Sequence, residues 1–294
     1  MRQIYRIFRT ITFLLAVLML VAGCRTTPSR PLVTPDAEPV IMPDTQYTNA
    51  SFAALIEKYA PDGRQVDYAA WSESPEDLAA LERHVRLLAA ISPDNHPEQF
   101  PSRAAVLSYW VNAYNALVMH TALQYWPLET VMEVKASFSS FIIPGKGFFY
   151  DHEVVVGGEK TNLYDLEKKI FRTQKDPRLH FALNCASSSC PVLRPWEWTD
   201  EQLTQATAAF INTPENVAVR DNTLYLSLIF KWYKKDFGED IHQYLQQYAN
   251  DELVRQIQTA RKQNYPIKYV EYNWDLNASS DESAAGDRTS TGDH

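Results

Sequence analysis

Asp176–Pro191 reads DPRLHFALNCASSSCP and holds two of the chain's three cysteines, a histidine and an asparagine. Leu179–Asn184 has the length and apolar content of a short buried strand, and Cys185–Pro191 reads as a small-residue loop closed by proline. A buried strand that delivers polar and thiol groups to a serine-rich loop marks a candidate site in a mixed helix-and-sheet domain. With side chains alternating, Phe181, Leu183 and Cys185 share one face while His180, Ala182 and Asn184 share the other. The Cys185 thiol then meets the His180 imidazole only if the strand breaks at Asn184 or Cys185. Asp176-Pro177-Arg178 reads as the turn into this strand, with Arg178 held by a carboxylate.

Working outward, Asn162 caps a helix bearing Leu163, Leu166, Glu167 and Ile170, and Glu167 is expected to pair with Arg172 or Arg178. Upstream, Phe141–Val156 has a β-like pattern that ends in a hairpin turn at Gly157-Gly158. Arg103–Tyr125 is apolar on every side, which predicts a helix surrounded by protein. Its Asn112 and Asn115 enter that interior together, either to satisfy buried backbone or to position a ligand carbonyl or an imidazole. Earlier still, Phe52, Leu55, Ile56 and Tyr59 keep helical spacing, and Gln65–Tyr68 reads as a short strand. Ser74 caps a further helix with Pro75 at its first position. Downstream, Thr199 and Gln202 form a capping box, Asp221-Asn222 turns a hairpin, and Ile267–Tyr272 is a last strand. The sum is an α+β fold: a single domain with a modest, mainly antiparallel sheet packed in a larger set of helices.

The two ends carry different signals. Arg2, Arg6 and Arg9 precede an uncharged run from Thr10 to Gly23, shorter than the roughly 20 apolar residues that span a bilayer. Leu20-Val21-Ala22-Gly23-Cys24 resembles a bacterial lipobox, which makes residues 1–23 a signal peptide and Cys24 the lipidated residue. The membrane is then a partner through acyl chains. Arg25 after that cysteine implies outer-membrane sorting with the body facing the periplasm, given a Gram-negative host. Residues 24–47, rich in proline, form a tether. Residues 48–276 form the globular domain, and residues 277–294 have the composition of a disordered tail. The whole chain has 28 Lys+Arg against 36 Asp+Glu; without the three leader arginines the formal charge goes from −8 to −11. So acidic a surface argues against nucleic acid as a partner.

Cys185 and Cys190 then sit in an oxidising compartment. They are candidates for a disulfide closing a small loop. Alternatively, Cys185 is a catalytic thiol with His180 as base and Glu167 orienting it. A metal held by His180, Cys185 and Cys190 has no C-x2-C pair behind it, and no cofactor is implied. Asn112, Asn115, Arg178 and Asn184 are the candidate binding residues, and Trp232-Tyr233 could line a groove for a peptide or glycan.

Several of these blocks resemble the domain of unknown function 547 family: SYWVNAYNAL at 108–117, NLYDLEKKIFR at 162–172 with the stretch quoted above, and LSLIFKWYKKDFG at 226–238. The resemblance runs from about Ser51 to Tyr248. It implies that Asn112, Asn115, Glu167, Arg172, Arg178, His180, Cys185 and Cys190 occupy motif positions, and it implies no reaction. The motif commonly has histidine after the glutamate, where this chain has Lys168. Two functions follow as expectations: a thiol-dependent hydrolase or acyl transferase acting on envelope peptides or peptidoglycan, or a lipid-anchored binding module with a stapled loop.

Overall fold

The computed structural model describes residues 45–135 and 137–279. The expected signal peptide, the lipidated cysteine, the tether as far as residue 44 and the tail from residue 280 lie outside them. Helix α1 is Ala50–Tyr59, α2 is Tyr68–Glu73 and α3 is Pro75–Ala90. The Ser74 side chain caps α3 through the Asp77 N–H, with Pro75 at the first position as the sequence predicts. Gln65–Tyr68 is not a strand. Val66 makes a single parallel bridge to Ala278, and the chain then enters α2, whose cap is the Asp67 side chain.

Helix α4, Arg103–Tyr125, is the axis of the larger core. From Leu107 to Tyr125 every residue is buried, so no face is left for water. It packs against α3 and against α6, Leu163–Gln174, while the short α5, Lys146–Phe149, lies beside α6. Among the described residues no helix is long and apolar enough to cross a membrane.

Of the β-like run Phe141–Val156, only β1, Glu153–Val156, is a strand, paired with β2, Glu159–Asn162. Residues Phe138–Phe141 form a 3-10 turn, and Pro144-Gly145 interrupts the run so that α5 can start. Gly157 and Gly158, both at positive φ, make the predicted hairpin turn.

The second sheet holds β3, Val217–Arg220, antiparallel to β4, Thr223–Ser227, and β4 parallel to β5, Ile267–Val270. Asp221 and Asn222, at φ 49° and 54°, turn the β3–β4 hairpin. Around this sheet α7 (Asp200–Ile211), α8 (Ile229–Trp232), α9 (Ile241–Gln246) and α10 (Asp251–Lys262) close a smaller core built on Phe181, Phe210, Phe230 and Ile257. The chain is a single α+β domain, with one antiparallel pair and one mixed sheet inside a majority of helix.

The quoted stretch lies at the seam of the two cores, and that position explains why it is not the expected strand. Pro177–Phe181 is a 3-10 helix whose first turn is capped by the Asp176 side chain. Leu179, Ala182 and Leu183, spaced three and four apart, face the larger core, while Phe181 faces the smaller one. An element buried on both sides has apolar residues at strand spacing and at helix spacing alike, and the Asp-Pro start favours the helix.

Residues near both edges of the described segment are held to the fold. Gln99 accepts a hydrogen bond from the Tyr47 N–H at 2.8 Å and donates to the Thr45 carbonyl, and the Tyr47 ring packs edge-on against Tyr109. Asn277 is buried, where it accepts from the Tyr68 hydroxyl at 2.9 Å, and the Ser279 N–H donates to the Val66 carbonyl at 3.1 Å.

Candidate functional site

Cys185 and Cys190 are joined in a disulfide. Ala186 takes positive φ, 61°, just inside the closed loop. Asn184 holds that turn from within: its Nδ2 donates to the Pro191 carbonyl at 2.7 Å, and its Oδ1 accepts from the Ala186 N–H at 2.8 Å. The C-terminal segment pins the loop from outside. Ser187 bridges to Leu276, the Ser188 N–H donates to the Asp275 carbonyl, and the Tyr272 hydroxyl lies 3.3 Å from Cys185 Sγ and 3.2 Å from Cys190 Sγ. Burial pushes the Tyr272 phenol up to about 12, so it stays a neutral donor beside the sulfurs.

This loop forms one wall of a cleft of about 250 Å³ that Glu167, His180, Cys185, Trp232, Tyr233 and Tyr272 help to line. Glu167 comes from α6 and, among the described residues, makes no ion pair with an arginine, contrary to the sequence expectation. Its Oε1 accepts from the Tyr233 hydroxyl at 2.9 Å. Burial raises the Glu167 pKa, and hydrogen bonds from Tyr233 and Tyr114 offset only part of that. The carboxyl is thus poised to carry a proton that an exposed glutamate would lose.

His180 is packed between rings, its centroid 4.1 Å from Phe171 and 3.9 Å from Tyr233. Its Nε2 is 2.8 Å from Asp236 Oδ2. Burial lowers its pKa, and the Asp236 carboxylate pulls the other way. Trp232, Tyr272 and Trp274 form the opposite rim, with centroids 4.7–5.8 Å apart, and Trp232 is 47% exposed.

The structure therefore gathers Cys185, His180 and Glu167 at one cleft, and it sends the candidate binding residues elsewhere. Arg178 spends its fork on Asp176, on Asp200 and on Thr204, at 2.6–3.1 Å. Asn115 donates from Nδ2 to the Ala182 carbonyl and accepts at Oδ1 from the Asn184 N–H. Asn112 donates to the Trp196 carbonyl, while its Oδ1 has no partner among the described residues. In the structure these side chains fasten backbone around the site. The sequence singles out neither Asp236 nor Tyr272, and it marks Tyr233 only as a groove residue beside Trp232; Asp236 and Tyr233 lie in the 226–238 block, but nothing local in that block ties them to His180.

A single α+β domain with a disulfide-stapled loop at the edge of an aromatic, carboxyl-bearing cleft is thus the class that fold and site define. Residues 98–211, from just ahead of α4 to the end of α7, match the family described as protein of unknown function, DUF547, and this match supports that family for the chain. The matched region contains Glu167, His180 and the stapled loop, and leaves out Tyr233 and Tyr272. No curated protein and no solved structure matches the chain.

Proposed function

We propose that the protein is a lipid-anchored envelope module, facing the periplasm from the outer membrane, that binds a glycan in the aromatic cleft without reacting with it. The disulfide carries this reading. A sulfur bonded to its neighbour is neither a thiolate nor a nucleophile, so the cleft is left with aromatic planes and a few hydrogen-bonding groups. Sugar rings offer C–H faces to such planes and hydroxyls to a polar edge. Trp232 supplies the exposed plane, and the Glu167–Tyr233 pair with His180 supplies the edge. The lipobox-like residues before Cys24 support an anchor of acyl chains on Cys24.

Trp232→Ala is expected to weaken binding of a soluble N-acetylglucosamine oligomer by at least about ten-fold, equivalent to about 1.4 kcal/mol. The half of its side chain that packs on Tyr272 and Trp274 makes the change cost stability too, a fall in melting temperature of about 2–8 °C with folding preserved. Tryptophan fluorescence titration reads the first effect and a thermal melt the second. Binding of a short peptide but not the oligomer would reassign the cleft to peptides; binding of neither removes the proposal.

The placement of Cys185, His180 and Glu167 in one cleft supports a second reading, a thiol-dependent hydrolase or acyl transferase. It requires the disulfide to open first, and native alkylation of Cys185 without reductant is its signature.

A further inference from the structure

On the other side of the stapled loop lies a second cavity of about 330 Å³, which shares Cys190, Pro191 and Tyr272 with the cleft. It sits at the end of the second sheet where β3 starts and β4 and β5 finish, over α7. We infer that this cavity binds a small zwitterion, a free amino acid or unblocked dipeptide, with the ligand carboxylate on Arg64 and Arg194 and its ammonium toward Glu215 and Glu271. The inference does not rest on the cleft reading.

The two guanidinium groups are brought together by a backbone contact. The Leu193 N–H donates to the Gly63 carbonyl at 2.8 Å, and a Cβ at Gly63 would fall 2.0 Å from the Leu193 carbonyl oxygen. Only glycine, here at φ 68°, lets the two loops approach so closely. The next residue on each loop is an arginine, and both line the cavity. Burial and the nearby Arg64 charge both lower the Arg194 pKa.

Neither arginine is in an ion pair among the described residues, where the ion-paired arginines are Arg103, Arg178 and Arg261. Arg194 lies 4.4 Å over the Trp196 ring, which fixes its plane without using its donors, and its Nε is buried without a partner. A held guanidinium with a spare, buried Nε–H suits a carboxylate, which accepts two parallel hydrogen bonds from the guanidinium fork. Glu215 and Glu271 also line the cavity and make no ion pair among the described residues. They oppose a simple polyanion and favour a ligand that carries a cation as well.

Calorimetric titration of the full chain with alanyl-alanine tests this, alongside N-acetyl-alanyl-alanine, alanyl-alaninamide and inorganic phosphate. Alanyl-alanine is expected to bind, and each blocked form to bind at least about ten-fold more weakly. Arg64→Gln, at an exposed position that leaves the fold alone, is expected to lose a similar factor, and Glu215→Gln to lose affinity only for ligands with a free amine. Absence of dipeptide binding at about 1 mM, an unchanged affinity in Arg64→Gln, or phosphate binding as tightly as the dipeptide each overturns the assignment.

Discussion

Lowering the pH from 7 to 5 is expected to depress the melting temperature by about 10 °C or more, well before any carboxylate in an ion pair is titrated. Three buried histidines away from the cleft carry most of this, and His180, whose pKa burial lowers against the pull of Asp236, adds to them in the same sense. His84, in α3, stacks on Phe52 and meets the Ser51 hydroxyl. His120 lies inside α4 next to Gln124, and His152 meets the Tyr125 hydroxyl. Burial lowers their pKa values to about 4, about 3 and about 4. The unfolded chain protonates each near 6.5, and the folded chain does not, so unfolding takes up protons between those values.

Stability is therefore intact above the unfolded value and falls as pH drops below it. At pH 5 each group costs about 2 kcal/mol, or about 6 kcal/mol together as an upper figure. Glu167 acts in the opposite sense, since its raised pKa lets the fold keep a proton that the unfolded chain gives up, but it is one group against four histidines. Asp176 is different again. Burial would raise its pKa, but hydrogen bonds from Arg178 outweigh that and hold it low, so its contribution disappears only in stronger acid. Thermal melts at pH 7, 6 and 5 read the effect. A flat melting temperature across that range contradicts the buried, neutral imidazoles.

Asn115→Ala is expected to cost about 4 kcal/mol, because one amide ties α4 to the chain just ahead of the staple. Its removal leaves the Asn184 N–H and the Ala182 carbonyl without that partner in a region closed to water. Each orphaned group costs about 1–3 kcal/mol, and the truncation adds a small cavity. Denaturant unfolding monitored by circular dichroism measures the change. A loss below about 1 kcal/mol would mean that the amide does not hold this seam. Since Asn184 sets the turn into the disulfide loop, faster amide exchange at Ala186 is expected in the same variant.

Helices, caps and hairpins were readable because their causes are local. Ser74 and Pro75, Asn162, the Thr199–Gln202 box, Gly157-Gly158 and Asp221-Asn222 each act within a few residues of the structure they specify. Leu179–Asn184 reads as a strand and is not one, because it is buried between two cores, where alternation no longer distinguishes a strand from a turn of helix. The site was only half legible for a related reason. Cys185, His180 and Glu167 stand within dense motifs, whereas Asp236 reaches His180 across 56 positions and Tyr272 reaches Cys185 across 87. The parallel pairing of β5 with β4 also has no local sign, and it is this pairing that carries the chain on to Tyr272 and Asn273 beside the loop.

Iodoacetamide mapping of the folded chain, with and without reductant, tests most directly whether the stapled loop is a wall or a weapon. A fixed wall predicts no adduct at Cys185 or Cys190 under native, non-reducing conditions. Both residues should be modified after reduction in denaturant, and the intact mass beforehand should be lower by the two hydrogens of one disulfide. Ready native alkylation of Cys185 alone would contradict this and return the thiol to the cleft as a nucleophile.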